Sequence, residues 1–308
     1  MIHYHARNDF INLSFVYVCA ILAILMLSQV SAPKESLQFG IIAPLQKKQI
    51  SSIYNNKVFD KVSVIARAYV VYDIVDGKVV ASKNINEVLP LASLTKIMTA
   101  VTAIKHHDES TQIKIVPTSL DGDYDLGLKK NQIWKLSEVL KYTLVFSSND
   151  GAQEIADGLG GRNSFVSQMN QEAVLLGLTT LHFTHPAGLD VDGKIGGTGT
   201  VLDIAKLFAV AHSLFPDILD ATTKNRVTVT ASTGKVIGIP NTNQEIIDLL
   251  GVEASKTGFT NIAGGNLAVI VDVTVGHPVV IVVLGSTREE RFSDMKILYN
   301  ALLKSVKD

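Results

Sequence analysis

A proline at position 90 fixes where the first long helix of this chain can start, and with it the surroundings of Ser93. Proline has no N–H and its ring clashes inside a helix, so helical structure begins after Pro90, near Ser93. The run from Ile97 to Ile104 is apolar and helix-compatible, and it ends at the polar His106-His107-Asp108. Ser93 and Lys96 therefore stand at i and i+3 on one helix face, with Cβ atoms about 5–6 Å apart. A serine hydroxyl is a weak nucleophile until a neighbouring base takes its proton, and a neutral lysine can be that base. At a helix start the serine N–H lacks an intrahelical partner and favours an oxyanion.

Ser-x-x-Lys by itself is a weak signal. The chain holds it four times, as Ser31-Lys34, Ser93-Lys96, Ser232-Lys235 and Ser293-Lys296. An ordinary surface pair is the default reading of each. Company further along sets Ser93 apart: Ser147-Ser148-Asn149 between two helical runs, and Lys256-Thr257-Gly258 in a β-prone run. Ser-x-Asn is weak, since Ser82-Lys83-Asn84 also fits it. Lys-Thr-Gly occurs once, where average residue usage gives a chance expectation on the order of a tenth. The three motifs follow the order that serine acyl-transferases with a lysine base require.

Composition excludes several classes. The 308 residues are 47% hydrophobic with a formal net charge of −1, so a real core is available and no basic excess points to nucleic acid. The single cysteine, Cys19, rules out an intrachain disulfide and a cysteine-rich metal site. Adjacent His106 and His107 point in different directions on a helix end and form no zinc site. Asp121-Gly122-Asp123-Tyr124-Asp125 lacks the glycine and glutamate of a calcium loop and reads as solvated. No metal and no cofactor is expected.

The N-terminus carries an address. Phe10 to Leu27 is almost wholly apolar, broken by Asn12 and Ser14, and Val30-Ser31-Ala32 resembles a cleavage site. A membrane helix needs roughly 17 residues, so a cleaved signal and a retained anchor both fit. Cys19 follows Val18 mid-run, which does not suit lipid attachment. Either reading places the rest of the chain outside the cytoplasmic membrane. Residues 1–32 are thus a signal or anchor, 33–61 a linker or irregular lead-in, and 62–308 the catalytic domain.

Within that domain, β-prone runs flank Asp76-Gly77 as a hairpin. Helices are expected over Leu136–Phe146, Ala152–Leu159, Asn163 or Ser164 to Leu176, and Thr200–Leu214. A second hairpin surrounds Ser232-Thr233-Gly234, and a short helix spans Glu245–Leu250. Strands over Ala254–Phe259, Leu267–Val275 and Val279–Gly285 precede a closing helix from Arg288 to Val306.

On these motifs the chain resembles the low-molecular-weight penicillin-binding D-alanyl-D-alanine carboxypeptidases, from about Val64 to Leu303. Further matching stretches are Leu126-Gly127-Leu128-Lys129, Pro186-x-Gly188-Leu189-Asp190, Asn241-Thr242-Asn243, Gly285-Ser286-Thr287 and Arg291-Phe292. Ala187 stands where the family often has His, and Phe259 where it often has Tyr or His. The β-rich C-terminal domain and membrane-binding helix of many members have no counterpart here. The resemblance implies a mixed α/β (α+β) fold of the β-lactamase and penicillin-binding transpeptidase type. An antiparallel sheet drawn from both chain ends is flanked by helices, with a helical subdomain across the cleft.

It also implies the chemistry. Ser93 attacks the carbonyl between the last two D-alanines of a peptidoglycan stem peptide, and Lys96, neutral at working pH, takes its proton. Ser147 relays the proton to the leaving amine, and Asn149 holds the substrate backbone and orients Lys96. Lys256 and Thr257 take the terminal carboxylate. Gly258 leaves room for substrate against the strand, and the N–H groups of Ser93 and Phe259 form the oxyanion hole. β-Lactams are expected inhibitors. Rival readings are a crosslink-cleaving D,D-endopeptidase, a β-lactamase and a non-catalytic cell-wall peptide binder. An unrelated hydrolase lacks the support of a Gly-x-Ser-x-Gly elbow.

Overall fold

The computed structural model describes residues 53–116 and 128–307. The apolar run Phe10–Leu27, the Asp121–Asp125 stretch and the Leu126-Gly127 pair lie outside the described residues. In chain order the elements are β1 (Ala68–Asp73), β2 (Lys78–Lys83), β3 (Leu89–Pro90), α1 (Thr95–His106), β4 (Gln112–Lys114), β5 (Ile133–Lys135), α2 (Leu136–Val145), α3 (Asn149–Gly158) and α4 (Arg162–Leu175). Then come β6 (His182–Phe183), β7 (Gly197–Gly199), α5 (Val201–Leu214), α6 (Pro216–Asp220), β8 (Arg226–Thr230), β9 (Val236–Pro240), β10 (Val252–Thr260), β11 (Gly264–Asp272), β12 (Pro278–Ser286) and α7 (Glu290–Ser305).

Five strands form one antiparallel sheet in the order β10-β11-β12-β1-β2. Its inner strands are buried on both faces, which is why Val279 to Leu284 reads as an unbroken apolar run. Alternate residues serve opposite layers, as a two-residue period demands. Val280, Val282 and Leu284 join the core under α1 and α5. Val279, Ile281 and Val283 face Met295, Leu298 and Leu302 of α7. Asp294 of α7 accepts from the N–H groups of Ile65 and Ala66 and from the Ser286 hydroxyl. That buried carboxylate ties the last helix to the start of β1 and the end of β12, neighbouring inner strands of the sheet.

Helix α1 is enclosed by α5, which itself packs on the sheet, and by α2, α3 and α4. Thr95 to Ala103 are all buried, so the helix carries small and apolar residues all round instead of one stripe.

Three sequence expectations change. Asn56–Lys61 is a 3₁₀ helix packed on α7 through Phe59, and Tyr54 bridges to Val306, so the lead-in from 53 belongs to the folded unit. Glu245–Leu250 forms turns instead of a helix; a segment this short cannot offset helix nucleation, and only Ile246 and Ile247 are buried. The short pairs β3-β7-β6 and β4-β5 were not expected, because two- and three-residue strands leave no periodic pattern.

Glu154, fully buried on α3, accepts from the Val116 N–H. Burial, with Asp157 and Asp150 adding to it against the opposing Val116 N–H and Arg162, pushes its carboxyl up to about 7. An unfolded chain would ionise this group from its ordinary 4.5 upward. Folding therefore takes up a proton between those values, and stability from this group falls as pH rises through that window. Glu154→Gln keeps an acceptor and has no such loss. Urea unfolding should show the variant gaining on the wild type at pH 8 relative to pH 5; a pH-independent difference would contradict the assignment.

Candidate active site

Three segments meet at the exposed side of the edge strand β10. The first is a 3₁₀ turn, Ala92–Leu94, directly before α1. It places Ser93 one turn below Lys96, and Lys96 Nζ lies 2.8 Å from Ser93 Oγ. Ala92 holds a φ of +48°, a left-handed conformation that costs a non-glycine residue about 1–3 kcal/mol.

The second is the turn between α2 and α3. Ser148 caps α3 by accepting from Gly151 N–H at 2.7 Å, so the helix begins at Asn149, earlier than the apolar pattern shows. The cap frees Asn149, whose side-chain oxygen accepts from Lys96 Nζ at 2.7 Å. Ser147, also left-handed at φ +62°, turns its hydroxyl toward the sheet.

The third is β10 itself. Lys256 is not a strand-edge surface charge: it is buried, and its Nζ donates to Ser147 Oγ at 2.7 Å and to the Thr257 carbonyl at 2.8 Å. Burial, then the nearby amine of Lys96 and the Arg291 guanidinium, holds the Lys256 amine well below the usual lysine range. Thr257 and Thr242 share a hydrogen bond of 2.7 Å between their hydroxyls. Ser93, Ser147, Thr242, Thr257, Gly258, Phe259, Arg288 and Arg291 line a cleft of about 300 Å³.

Gly258 has a different reason from the one expected. A Cβ there would stand 3.0 Å from the Leu91 carbonyl and 3.3 Å from the N atoms of Ser93 and Leu94. The missing side chain lets β10 press against the Ser93 turn, so the room it leaves is taken by the enzyme's own backbone.

A loop absent from the expected site completes it. The main-chain carbonyl of Ala187 accepts from Lys96 Nζ at 2.9 Å, a contact that an alanine makes as well as a histidine. Gly188 (φ +72°) packs this loop under the nucleophile; a Cβ on it would meet the Ala92 carbonyl at 2.0 Å. Sequence also gave no role to Thr242, Arg288 or Arg291. Arg291 left a signal: a cation in the first turn of α7 opposes the helix dipole. It is buried, donates to the Gly258 carbonyl at 2.7 Å, and so braces β10. The Arg288 guanidinium lies 5.1 Å from the centre of the Phe259 ring at the cleft rim.

Other acidic and basic groups are engaged away from the cleft. Glu172 pairs with Lys105 and His106 between α1 and α4, and Glu154 holds Val116.

A family model described as D-alanyl-D-alanine carboxypeptidase matches residues 55–288. D-alanyl-D-alanine carboxypeptidase DacB2 of Mycobacterium tuberculosis is 31% identical over 201 residues, 64% of this chain and 67% of that protein. A D-alanyl-D-alanine endopeptidase of Pseudomonas aeruginosa is 32% identical over 216 residues, 68% of this chain and 67% of that protein. Penicillin-binding protein D2 of Listeria monocytogenes, solved in an ampicillin-bound form, shares 30% identity and a TM-score of 0.68 over 78% of this chain and 98% of its own.

The glycine at 188 gives a direct test of the packing. Gly188→Ala combines a backbone clash with left-handed strain and should cost about 3 kcal/mol or more in urea unfolding. Gly193, at φ +74° with nothing within 4 Å, carries the strain alone, and Gly193→Ala should cost about 1 kcal/mol. Equal losses would mean that the Ala92 contact is unimportant.

Proposed function

The chain belongs to the D-alanyl-D-alanine carboxypeptidase family of serine peptidases, and we propose that Ser93 is its nucleophile and Lys96 its general base. The observation that carries this reading is the set of partners around Lys96 Nζ. A neutral amine has two N–H donors and one lone pair. The oxygens of Asn149 and Ala187 can only accept, so they take the two hydrogens. In that neutral form the lone pair faces the hydroxyl of Ser93, 2.8 Å away; once Lys96 has taken the proton, the same nitrogen donates to Ser93 Oγ.

The reaction follows from this placement. Ser93 Oγ bonds to the carbonyl carbon of the penultimate D-alanine while its proton passes to Lys96. The N–H groups of Ser93 and Phe259 receive the oxyanion, a contribution of about 3 kcal/mol per donor. The C–N bond breaks as the amine of the last D-alanine takes the proton of Ser147. Ser147, whose oxygen accepts from Lys256, recovers a proton from the Lys96 ammonium, which returns Lys96 to the neutral amine. Water then attacks the acyl-enzyme with Lys96 again as base.

Charge places the leaving residue. Thr242, Thr257 and Arg291 line the cleft and Lys256 is buried next to Thr257, so a terminal carboxylate bound beside Thr257 would offset the mutual repulsion of the cations. A carboxylate there favours the ammonium form of Lys256, and a charged Lys256 favours the neutral form of Lys96. Substrate thereby helps to set the protonation that catalysis needs.

β-Lactams carry a carboxylate and a strained amide in a comparable arrangement, and the ampicillin-bound Listeria relative supports inhibition by them. Their leaving amine stays tethered after ring opening and obstructs water, whereas D-alanine departs. Glu154 and Glu172, engaged elsewhere, are not placed to activate a deacylating water as a lactamase requires. A crosslink-cleaving endopeptidase would use the same groups, and the Pseudomonas relative bears that name. Defined muropeptides analysed by mass spectrometry separate the two activities. Export by Phe10–Leu27, with retention at the cytoplasmic membrane, rests on the length and apolarity of that run; fractionation with N-terminal sequencing tests it.

The enzyme should release D-alanine steadily from a D-alanyl-D-alanine peptide and form one long-lived penicilloyl adduct, mapped to Ser93. Ser93→Ala should abolish both. A label on Ser232 or Ser293, or rapid turnover of penicillin without D-alanine release, would contradict the assignment.

A further inference from the structure

The loop that supplies the Ala187 carbonyl is a four-residue turn, His185-Pro186-Ala187-Gly188, closed by the Gly188 N–H on the His185 carbonyl at 3.2 Å. Proline in second place and glycine in fourth match the composition of a type I turn, whose first place favours Asn, Asp or Ser. Those residues are favoured because a short side chain accepts the N–H two residues on. Here a histidine does that work: His185 Nδ1 accepts from the Ala187 N–H at 3.1 Å. The ring is buried, and the His185 N–H is itself held by the Gly196 carbonyl at 3.1 Å. The Thr99 hydroxyl donates to the Pro186 carbonyl at 2.6 Å, fixing the turn to α1. The residue pinned by the imidazole is thus the one whose carbonyl receives Lys96.

We propose that His185 is a positioning residue for the general base: its imidazole holds the Ala187 N–H and its own carbonyl holds the Gly188 N–H, so that both peptides flanking Ala187 are fixed and the Ala187 carbonyl claims one Lys96 hydrogen and keeps the lone pair on Ser93. The inference rests on the reading of Lys96 as the base. Accepting at Nδ1 requires the neutral ring with its hydrogen on Nε2. Burial, followed by the Arg162 guanidinium and, whenever it is charged, Lys96, and opposed by Asp157, pushes the imidazole down to about 4, so this form prevails at neutral pH. A protonated ring would present a second N–H to Ala187 in place of an acceptor.

The test uses the full chain and benzylpenicillin, with the acylation step separated from initial binding by stopped-flow kinetics at several concentrations. His185→Asn keeps a short-range acceptor and should acylate within about threefold of wild type. His185→Leu removes the acceptor and should slow the acylation step by about tenfold or more with initial binding little changed. Lys96→Met should abolish acylation. A folded His185→Leu that acylates at the wild-type rate overturns the inference, as do equal losses in the Asn and Leu variants. Should the Leu variant fail to fold, a loss beyond tenfold in His185→Asn overturns it alone. Wild-type acylation by Lys96→Met would instead remove the base reading beneath it.

Discussion

A buried lysine amine held among neutral oxygens is the constraint on which the rest of this structure depends. Lys96 is fully buried on α1. It meets Ser93 Oγ, Asn149 Oδ1 and the Ala187 carbonyl, contributed by three segments far apart in sequence. Burying an ammonium is costly, whereas a neutral amine whose hydrogens are accepted is tolerated. In that neutral form Lys96 could take a proton from serine, as proposed. Lys256 repeats the arrangement on the strand side, with Ser147 Oγ and the Thr257 carbonyl as partners.

Bringing these segments together requires unusual backbone. Ala92 and Ser147, each at a catalytic motif, both hold left-handed φ values. Such strain persists only where packing over-determines it. Glycines provide that packing: Gly188 against the Ala92 carbonyl and Gly258 against the Ser93 turn. Arg291 then braces the Gly258 carbonyl from α7. The sheet, the central helix and the last helix converge on one turn of chain, so the large core acts chiefly to hold a few atoms still.

Side-chain chemistry was more legible in the sequence than main-chain chemistry, of which the residues themselves pointed to the Ser93 N–H at a helix start. Ser93, Lys96, Ser147, Asn149, Lys256 and Thr257 announce themselves as motifs, and the structure brings them together: Ser93, Ser147 and Thr257 line one cleft, and Lys96, Asn149 and Lys256 are hydrogen-bonded behind it. The apolar runs of β11 and β12 and the enclosed α1 follow from period and composition. Ala187 offers only a carbonyl, which every residue has. His185 belongs to no motif, and its contact with Ala187 depends on a turn closed in three dimensions. Gly258 was correctly singled out for lacking a side chain, but which neighbour takes that space depends on the approach of β10 to the Ser93 turn. The 3₁₀ segment at Asn56–Lys61 was lost in a weakly patterned lead-in because a single buried aromatic, Phe59, anchors it.

The protonation state of Lys96 decides the account most directly. Nitrogen NMR of the ¹⁵N-lysine-labelled enzyme, with the Lys96 signal assigned from a Lys96→Met spectrum, reports whether Nζ is an amine or an ammonium. The proposal that Lys96 is the base predicts a neutral amine at pH 7 when a substrate-like carboxylate occupies the cleft beside Thr257. An ammonium at Lys96 in that complex would contradict the proposal that this lysine is the base.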